Sequence, residues 1–189
     1  MIHSPKFIAV LDACVLYPAP IRDLLLNLAD FDLYSQKWTD KIQEEWTRNL
    51  LLNRPELTPF QLQKTTDAMN MAFPDSIVKN YESIIPAVNL PDSGDCHVLA
   101  AAIRCSAEVI VTANIKDFPK EYLSQFDVEA QHPDSFISNL IDLNSEKAFK
   151  AFQQQVSNLK KPPLTDVQVL ENLKKVGLEL SSDKLLGFL

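Results

Sequence analysis

Glycine and cysteine are scarce in this chain, and each shortage excludes a class of protein. Only three of the 189 residues are glycine, at positions 94, 177 and 187. A glycine-rich phosphate loop or a dinucleotide-binding fingerprint needs several closely spaced glycines, so neither can be built from this sequence. The three cysteines, Cys14, Cys96 and Cys105, are an odd number without the spacing of a disulfide framework. A reducing, cytoplasmic location is therefore expected.

Long apolar runs are also lacking. No stretch approaches the roughly 20 apolar residues that a membrane-spanning helix needs. The N-terminal segment "MIHSPK" does not have the pattern of a signal peptide. The sequence therefore predicts a protein that does not associate with membranes.

Positive charge is in the minority. The chain has 18 lysines and arginines against 25 aspartates and glutamates, a net charge of −7. Passive nucleic-acid-binding proteins are usually basic, so this balance argues against that class. An enzyme that acts on nucleic acid is not excluded, because bound metal ions reverse the local field of an acidic cleft.

Apolar strands alternate with helices over the first two thirds of the chain, and only helices follow. This order predicts an α/β protein with a central parallel sheet over residues 1–133 and a C-terminal helical extension over 134–189. The predicted strands are 7–12, 33–38, 87–92, 108–112 and 127–131. The predicted helices are 20–30, 39–53, 58–73, 93–105, 134–142, 145–160, 165–176 and 182–188.

Acidic residues follow three of the predicted strands. Asp12 ends the first strand, Asp92 and Asp95 follow the third, and Asp117 follows the fourth. Ligands of open α/β sheets bind at the carboxyl ends of the strands. Clustered carboxylates raise one another's pKa unless a cation lies between them, and oxygen atoms are the ligands that Mg²⁺ and Mn²⁺ prefer. The sequence therefore predicts a site for Mg²⁺ or Mn²⁺ at this edge.

Two choices between neighbouring acids stay open. In "DSGD" Asp92 fits the N-cap of a helix, which favours Asp95 as the ligand, although a shift of three residues would exchange them. On the helix 39–53, Glu45 lies beside the buried Trp46 and Glu44 points further towards solvent, so Glu45 is preferred.

Three other polar residues are candidates for substrate binding: Thr112, Asn114 and Arg22. Thr112 and Asn114 follow the fourth predicted strand, and Arg22 could contact a phosphate. His97 is expected at the surface or partly buried rather than in the site, because it lies on a different helix face from Asp95.

Four segments resemble, in order, the four motif regions of the PIN domain. They are "VLDACVLYPAPIRDLLLNLA", "WTDKIQEEWTRNLL", "LPDSGDCHVLAAAI" and "VIVTANIKDFP". The branch that they resemble is the VapC-like ribonucleases of prokaryotic toxin–antitoxin systems. The resemblance covers about residues 7–132, and the tail is similar to C-terminal extensions of some longer members.

The resemblance implies a three-layer α/β/α fold and cleavage of RNA by water activated at Mg²⁺ or Mn²⁺. It also implies an antitoxin protein as partner, while a homodimer stays an open expectation. The family's catalytic, metal-holding acids fall on Asp12, Glu45, Asp95 and Asp117. Thr112 and Asn114 resemble the accompanying polar residues.

Two alternatives remain beside this interpretation. A catalytically silent PIN-like protein would bind a partner without cleaving RNA. A haloacid-dehalogenase-like phosphatase is suggested by "DACVL" after a strand, but Cys14 stands where that family needs a second acid.

Overall fold

A four-stranded parallel sheet forms the centre of the protein. The computed structural model describes residues 6–189, so the expectation for the first five residues of "MIHSPK" lies outside it. The strands are β1 (Ile8–Leu11), β2 (Ser35–Lys37), β3 (Val109–Val111) and β4 (Glu129–Gln131). They lie in the order β2-β1-β3-β4, and each neighbouring pair is parallel. The α/β fold with a central parallel sheet is therefore confirmed.

Helices cover the sheet and form the whole C-terminal part. Their bounds are α1 (Ala13–Leu16), α2 (Ala19–Asp30), α3 (Asp40–Asn53), α4 (Pro59–Ala72), α5 (Cys96–Arg104), α6 (Lys120–Leu123), α7 (Pro133–Leu143), α8 (Ser145–Asn158), α9 (Asp166–Lys175) and α10 (Glu179–Leu186). Over residues 6–189, no helix combines the length and the apolar character needed to cross a bilayer.

The sheet order distributes the helices over two faces. β1 connects to β2 in one direction along the sheet, whereas β2 connects to β3 and β3 to β4 in the other. Because parallel crossovers are right-handed, α2 lies on one face while α5 and α6 lie on the opposite face. The contacts of α2 with β2, of α5 with β1 and β3, and of α6 with β4 agree with this arrangement. The result is the three-layer α/β/α architecture that the resemblance implies.

The predicted strand over 87–92 is wrong. Residues Glu82–Ala87 form a 3₁₀ helix, and an extended loop leads from there into a second 3₁₀ turn, Ser93–Asp95. Pro86 and Pro91 interrupt this stretch, and proline cannot donate a hydrogen bond to a sheet ladder. Asp92 and Asp95 therefore precede α5 without following a strand.

The C-terminal helices pack on the sheet domain. Phe136 of α7 contacts Tyr34 edge-to-face, with 5.0 Å between ring centroids, and Phe7 at 6.0 Å. Helix α8 lies along α2, where the Gln155 side-chain amide donates to the carbonyl of Pro20 at 3.0 Å. The extension thus shares one hydrophobic core with the sheet, and the boundary between residues 133 and 134 stays a prediction.

Candidate functional site

Asp12 and Thr112 lie next to each other because β1 and β3 are neighbouring parallel strands. Leu11 pairs with Val111, so the next residues, Asp12 and Thr112, leave the sheet side by side. The backbone N–H of Asp12 donates to the Val111 carbonyl at 3.1 Å, which continues the ladder by one residue. Two side chains 100 positions apart are placed together by this register alone.

Asp12 is buried and accepts three hydrogen bonds. It is the N-cap of α1, and its Oδ1 accepts from the backbone N–H of Ala13 at 2.6 Å. Its Oδ2 accepts from the Thr112 hydroxyl at 2.7 Å and from the Cys14 thiol at 3.1 Å. Burial and the negative charge of Asp12 raise the pKa of Cys14 to about 12, so the thiol is protonated and can donate. The carboxylate is therefore held in one orientation, with only 6% of Asp12 exposed.

Asp95 shows that the acids are close in space. Burial, together with the negative charges of Asp12, Asp92 and Asp117, raises the pKa of Asp95 to about 6. Its Oδ2 is buried and has no hydrogen-bond partner. Four aspartates from three separate segments therefore share one electrostatic environment, and one oxygen atom in it lacks a donor.

The segment "DSGD" places Asp92 and Asp95 differently. Asp92 is an exposed N-cap whose Oδ1 accepts from the backbone N–H of Gly94 at 2.7 Å. A Cβ atom at Gly94 would lie 3.0 Å from this Oδ1, so glycine leaves room for the turn. Asp92 thus has the capping geometry that the sequence favours, and Asp95 is the acid that turns towards the cluster.

The two neighbouring glutamates of α3 point in different directions. Glu45 Oε1 lies 3.1 Å from Nε2 of His97 on α5. Glu44 is exposed and lines a groove between α3 and α4 with a volume of about 330 Å³. Glu45 is therefore the glutamate that faces the helix of Asp95.

The expectation for His97 is wrong. Only 2% of His97 is exposed, and every residue from Cys96 to Ala102 is buried. The sequence contains the signal for this: "CHVLAAA" gives α5 no polar face, so a histidine within it has to be buried with a partner.

The sequence predicts three substrate-binding residues, Arg22, Thr112 and Asn114, and their surroundings differ in the structure. Arg22 is buried, donates to the Leu16 carbonyl at 2.8 Å and lies over the ring of Trp46 at 4.7 Å. Thr112 is fully buried and holds Asp12. Asn114 is exposed, and its backbone N–H donates to the Thr112 hydroxyl at 3.0 Å. Substrate binding by these residues stays a prediction, and the positions of Arg22 and Thr112 favour structural roles.

The donor atoms at the carboxyl edge of the sheet are those that a hard divalent cation prefers, but their arrangement is not yet that of a metal site. Carboxylate oxygens, which Asp12, Asp95 and Asp117 supply here, are the donors that Mg²⁺ or Mn²⁺ prefers. The buried, unpartnered Oδ2 of Asp95 is an oxygen available to a cation. Within residues 6–189, however, no three His, Cys, Asp or Glu side chains are arranged to hold a metal ion as they stand. Ligation would require the side chains to turn towards a common point.

A parallel sheet between helical layers, with acids near the carboxyl ends of its strands, defines a three-layer α/β protein. Comparison with known proteins gives two matches. The family model "VapC50 C-terminal domain" matches residues 133–187. A Mycobacterium tuberculosis (strain ATCC 25618 / H37Rv) protein named "Putative ribonuclease VapC50" is 40% identical over 93 residues, which are 49% of this chain. These matches support the VapC-like branch of the PIN family, which is the resemblance that the four segments predict.

The extent of these matches is limited. The aligned part spans 54% of the M. tuberculosis protein, so the chain covers about half the length of the curated relative it matches. No solved structure gives a significant match to the chain.

Proposed function

We propose that this protein is a metal-dependent endoribonuclease and the toxin component of a prokaryotic toxin–antitoxin pair. The observation that carries the proposal is the unpartnered Oδ2 of Asp95 among the charges of Asp12, Asp92 and Asp117. Mutually repelling carboxylates at the carboxyl edge of a parallel sheet are the surroundings in which a divalent cation lowers the electrostatic energy most. The similarity to a protein named as a ribonuclease agrees with this function.

Mg²⁺ or Mn²⁺ would be held by Asp12, Glu45, Asp95 and Asp117. When bound, such an ion lowers the pKa of water and neutralises negative charge that develops on a phosphate. Asp12 contributes a carboxylate that three donors already fix, so little conformational freedom is lost on binding. Asp95 would contribute Oδ2, the oxygen that no donor occupies, as a ligand. A carboxylate oxygen that is not bound to the ion would take the proton of the attacking water molecule.

Single-stranded or looped RNA is the proposed substrate, because its backbone can bend into a cleft at a sheet edge. The proposed partner that silences the enzyme is an antitoxin protein with a basic or apolar segment, which complements the acidic edge. The proposed location is the cytoplasm, where RNA is accessible and the three cysteines stay reduced. Homodimer formation belongs to the same proposal and is tested by light scattering.

RNA cleavage tests the proposal directly. A mixed RNA pool is incubated in four samples. The wild type is tested once with Mn²⁺ and once with EDTA. Asp12→Ala and the control Glu171→Ala, which changes an exposed acid on α9, are each tested with Mn²⁺. We expect cleavage by the wild type and the control in Mn²⁺ only. Equal cleavage in all four samples would contradict the proposal.

A catalytically silent, partner-binding protein is the second candidate. The observation in its favour is that no three ligand side chains within residues 6–189 are arranged around a common point. Calorimetry separates the two candidates: a folded protein that binds no Mn²⁺ would support the silent candidate, and micromolar to millimolar Mn²⁺ binding lost in Asp12→Ala would support the nuclease.

A further inference from the structure

The imidazole of His97 occupies a closed position between α3 and α5. Its side chain is 1% exposed, and its Nε2 lies 3.1 Å from Oε1 of Glu45. His97 shares one face of α5 with Ala100 and Ala101, at helical spacings of three and four residues. Tyr81 and Val78 pack on these two alanines and close the same face. His97 therefore contacts Glu45 from a rigid, fully packed helix.

The second ring nitrogen identifies the type of contact. Nδ1 of His97 is buried and has no hydrogen-bond partner. A proton on Nδ1 would be a buried donor without an acceptor, which is energetically costly. The ring N–H is therefore assigned to Nε2, which lies 3.1 Å from Oε1 of Glu45.

The contact with His97 distinguishes Glu45 from its neighbour. A glutamate side chain has several rotatable bonds, and 22% of the Glu45 side chain is exposed. The contact with His97 restrains this carboxylate at Oε1. Glu44 has the same side chain on the same helix but is exposed on a different face.

We propose that His97 is a positioning residue that fixes the carboxylate of Glu45 for metal binding. The inference rests on the proposed function, because Glu45 needs a metal ion to act upon. His97 lies on α5, two residues after Asp95, so its contact with Glu45 also restrains Glu45 relative to Asp95. Partners of this kind orient a ligand without touching the metal, and their loss costs about 10- to 100-fold in metal affinity.

The test is Mn²⁺ affinity of the whole chain, measured by calorimetry without RNA. His97→Gln keeps an N–H near the position of Nε2, whereas the shorter His97→Asn places its amide near the position of Nδ1. We expect His97→Asn to weaken Mn²⁺ binding about 10-fold and His97→Gln to stay close to the wild type. Glu44→Gln, which changes the neighbouring exposed glutamate, is expected to bind Mn²⁺ like the wild type. Circular dichroism confirms that each variant is folded.

A double variant separates positioning from general destabilisation. In the Glu45→Gln background His97 has no ligand carboxylate to orient, so adding His97→Asn is expected to leave Mn²⁺ affinity unchanged. An equal loss in both backgrounds would overturn the proposal, as would wild-type affinity in His97→Asn. If His97→Asn does not fold, Glu45→Gln still tests the proposal. Wild-type Mn²⁺ affinity in Glu45→Gln would overturn it, because Glu45 would then not be a metal ligand that needs positioning. A wild-type protein that binds no Mn²⁺ would overturn the proposed function together with the positioning role, whereas failure of the variants alone leaves the proposed function intact.

Discussion

The hydroxyl of Thr112 donates a hydrogen bond to Oδ2 of Asp12 at 2.7 Å and joins the ends of two neighbouring strands. Thr112 is fully buried, and the same hydroxyl accepts from the backbone N–H of Asn114 at 3.0 Å. The residue therefore orients the first acid of the site and begins the turn that leads to Asp117.

Replacing Thr112 by valine tests this relationship. Thr112→Val keeps the shape of the side chain but removes the donor to a buried carboxylate, so we expect the free energy of unfolding to fall by about 2 kcal/mol. Mn²⁺ binding is expected to weaken as well, because Asp12 loses one of its three donors. Thr112→Ser keeps the hydroxyl and is the control. Urea unfolding and calorimetry that give wild-type values for Thr112→Val would show that this bond is unimportant.

The burial of Asp95 and the acids around it predict a pH dependence of the stability of the metal-free protein. The folded-state pKa of Asp95 is about 6, above its ordinary value of 3.8, so the folded state binds this proton more tightly than the unfolded state. Stability of the metal-free wild type therefore falls as pH rises from about 4 to about 6, and the loss is complete above that range. Asp95→Asn does not titrate, so its melting temperature in EDTA is expected to exceed that of the wild type by an amount that grows over this range and then levels off.

The measurement is a series of thermal melts in EDTA between pH 4 and pH 8. Adding Mn²⁺ at pH 7.5 is expected to reverse the order, because the ion stabilises the wild type and not Asp95→Asn. A constant difference between the two proteins at every pH would show that the pKa of Asp95 is not raised in the folded state.

Arg22 is expected to contribute mainly to stability. Its guanidinium donates to the Leu16 carbonyl and lies over Trp46, so Arg22→Met is expected to lower the free energy of unfolding by about 2 kcal/mol. Arg22→Lys should not restore it, since an ammonium cannot reproduce the planar stacking. Chemical denaturation measures both variants. A raised KM for RNA with unchanged stability would instead support the phosphate contact that the sequence predicts.

Asp134 is expected to anchor the last helix. Its carboxylate accepts from the backbone N–H groups of Leu180 and Ser181 at 2.9 and 2.8 Å, and from the Ser181 hydroxyl at 2.6 Å. Asp134→Ala leaves buried donors without an acceptor, so we expect a loss of about 3 kcal/mol and faster hydrogen exchange at the start of α10.

A second acid on α7 supplies the control for this prediction. Asp142 also contacts α10, through an ion pair with Lys184, but its side chain is 64% exposed. Exposed pairs contribute little, so Asp142→Ala is expected to change stability by less than about 1 kcal/mol. Equal effects of the two substitutions would contradict the anchoring role of Asp134.

The sequence predicts the buried parts of the fold because their patterns are local. The strand at Ile8–Leu11 and the helix at Asp40–Asn53 both contain an unbroken apolar run or stripe, and both form close to their predicted bounds. Residues 87–92 are a short apolar stretch that contains Pro91. This pattern is as compatible with a loop as with a strand, and the structure has a loop there. Weak local preference is decided there by packing against α5, which the sequence does not show.

The candidate site divides in the same way. Asp12 and Thr112 can be paired from sequence, because each directly follows a buried strand and parallel neighbours end at one edge. The contact between His97 and Glu45 depends on the angle between two helices, which no spacing in the sequence encodes. Whether Asp92 or Asp95 turns inward depends on a single turn at Gly94, and side-chain geometry alone separates them.

In the proposed function, acids far apart in the sequence gather around a divalent cation at the carboxyl edge of the sheet. Anomalous diffraction from crystals of the protein grown with Mn²⁺ tests it most directly. We expect an anomalous peak at bonding distance from carboxylate oxygens of Asp12 and Asp95, with Asp117 and Glu45 turned towards it. A saturated crystal with no peak at this edge, or with a peak elsewhere only, would contradict the account.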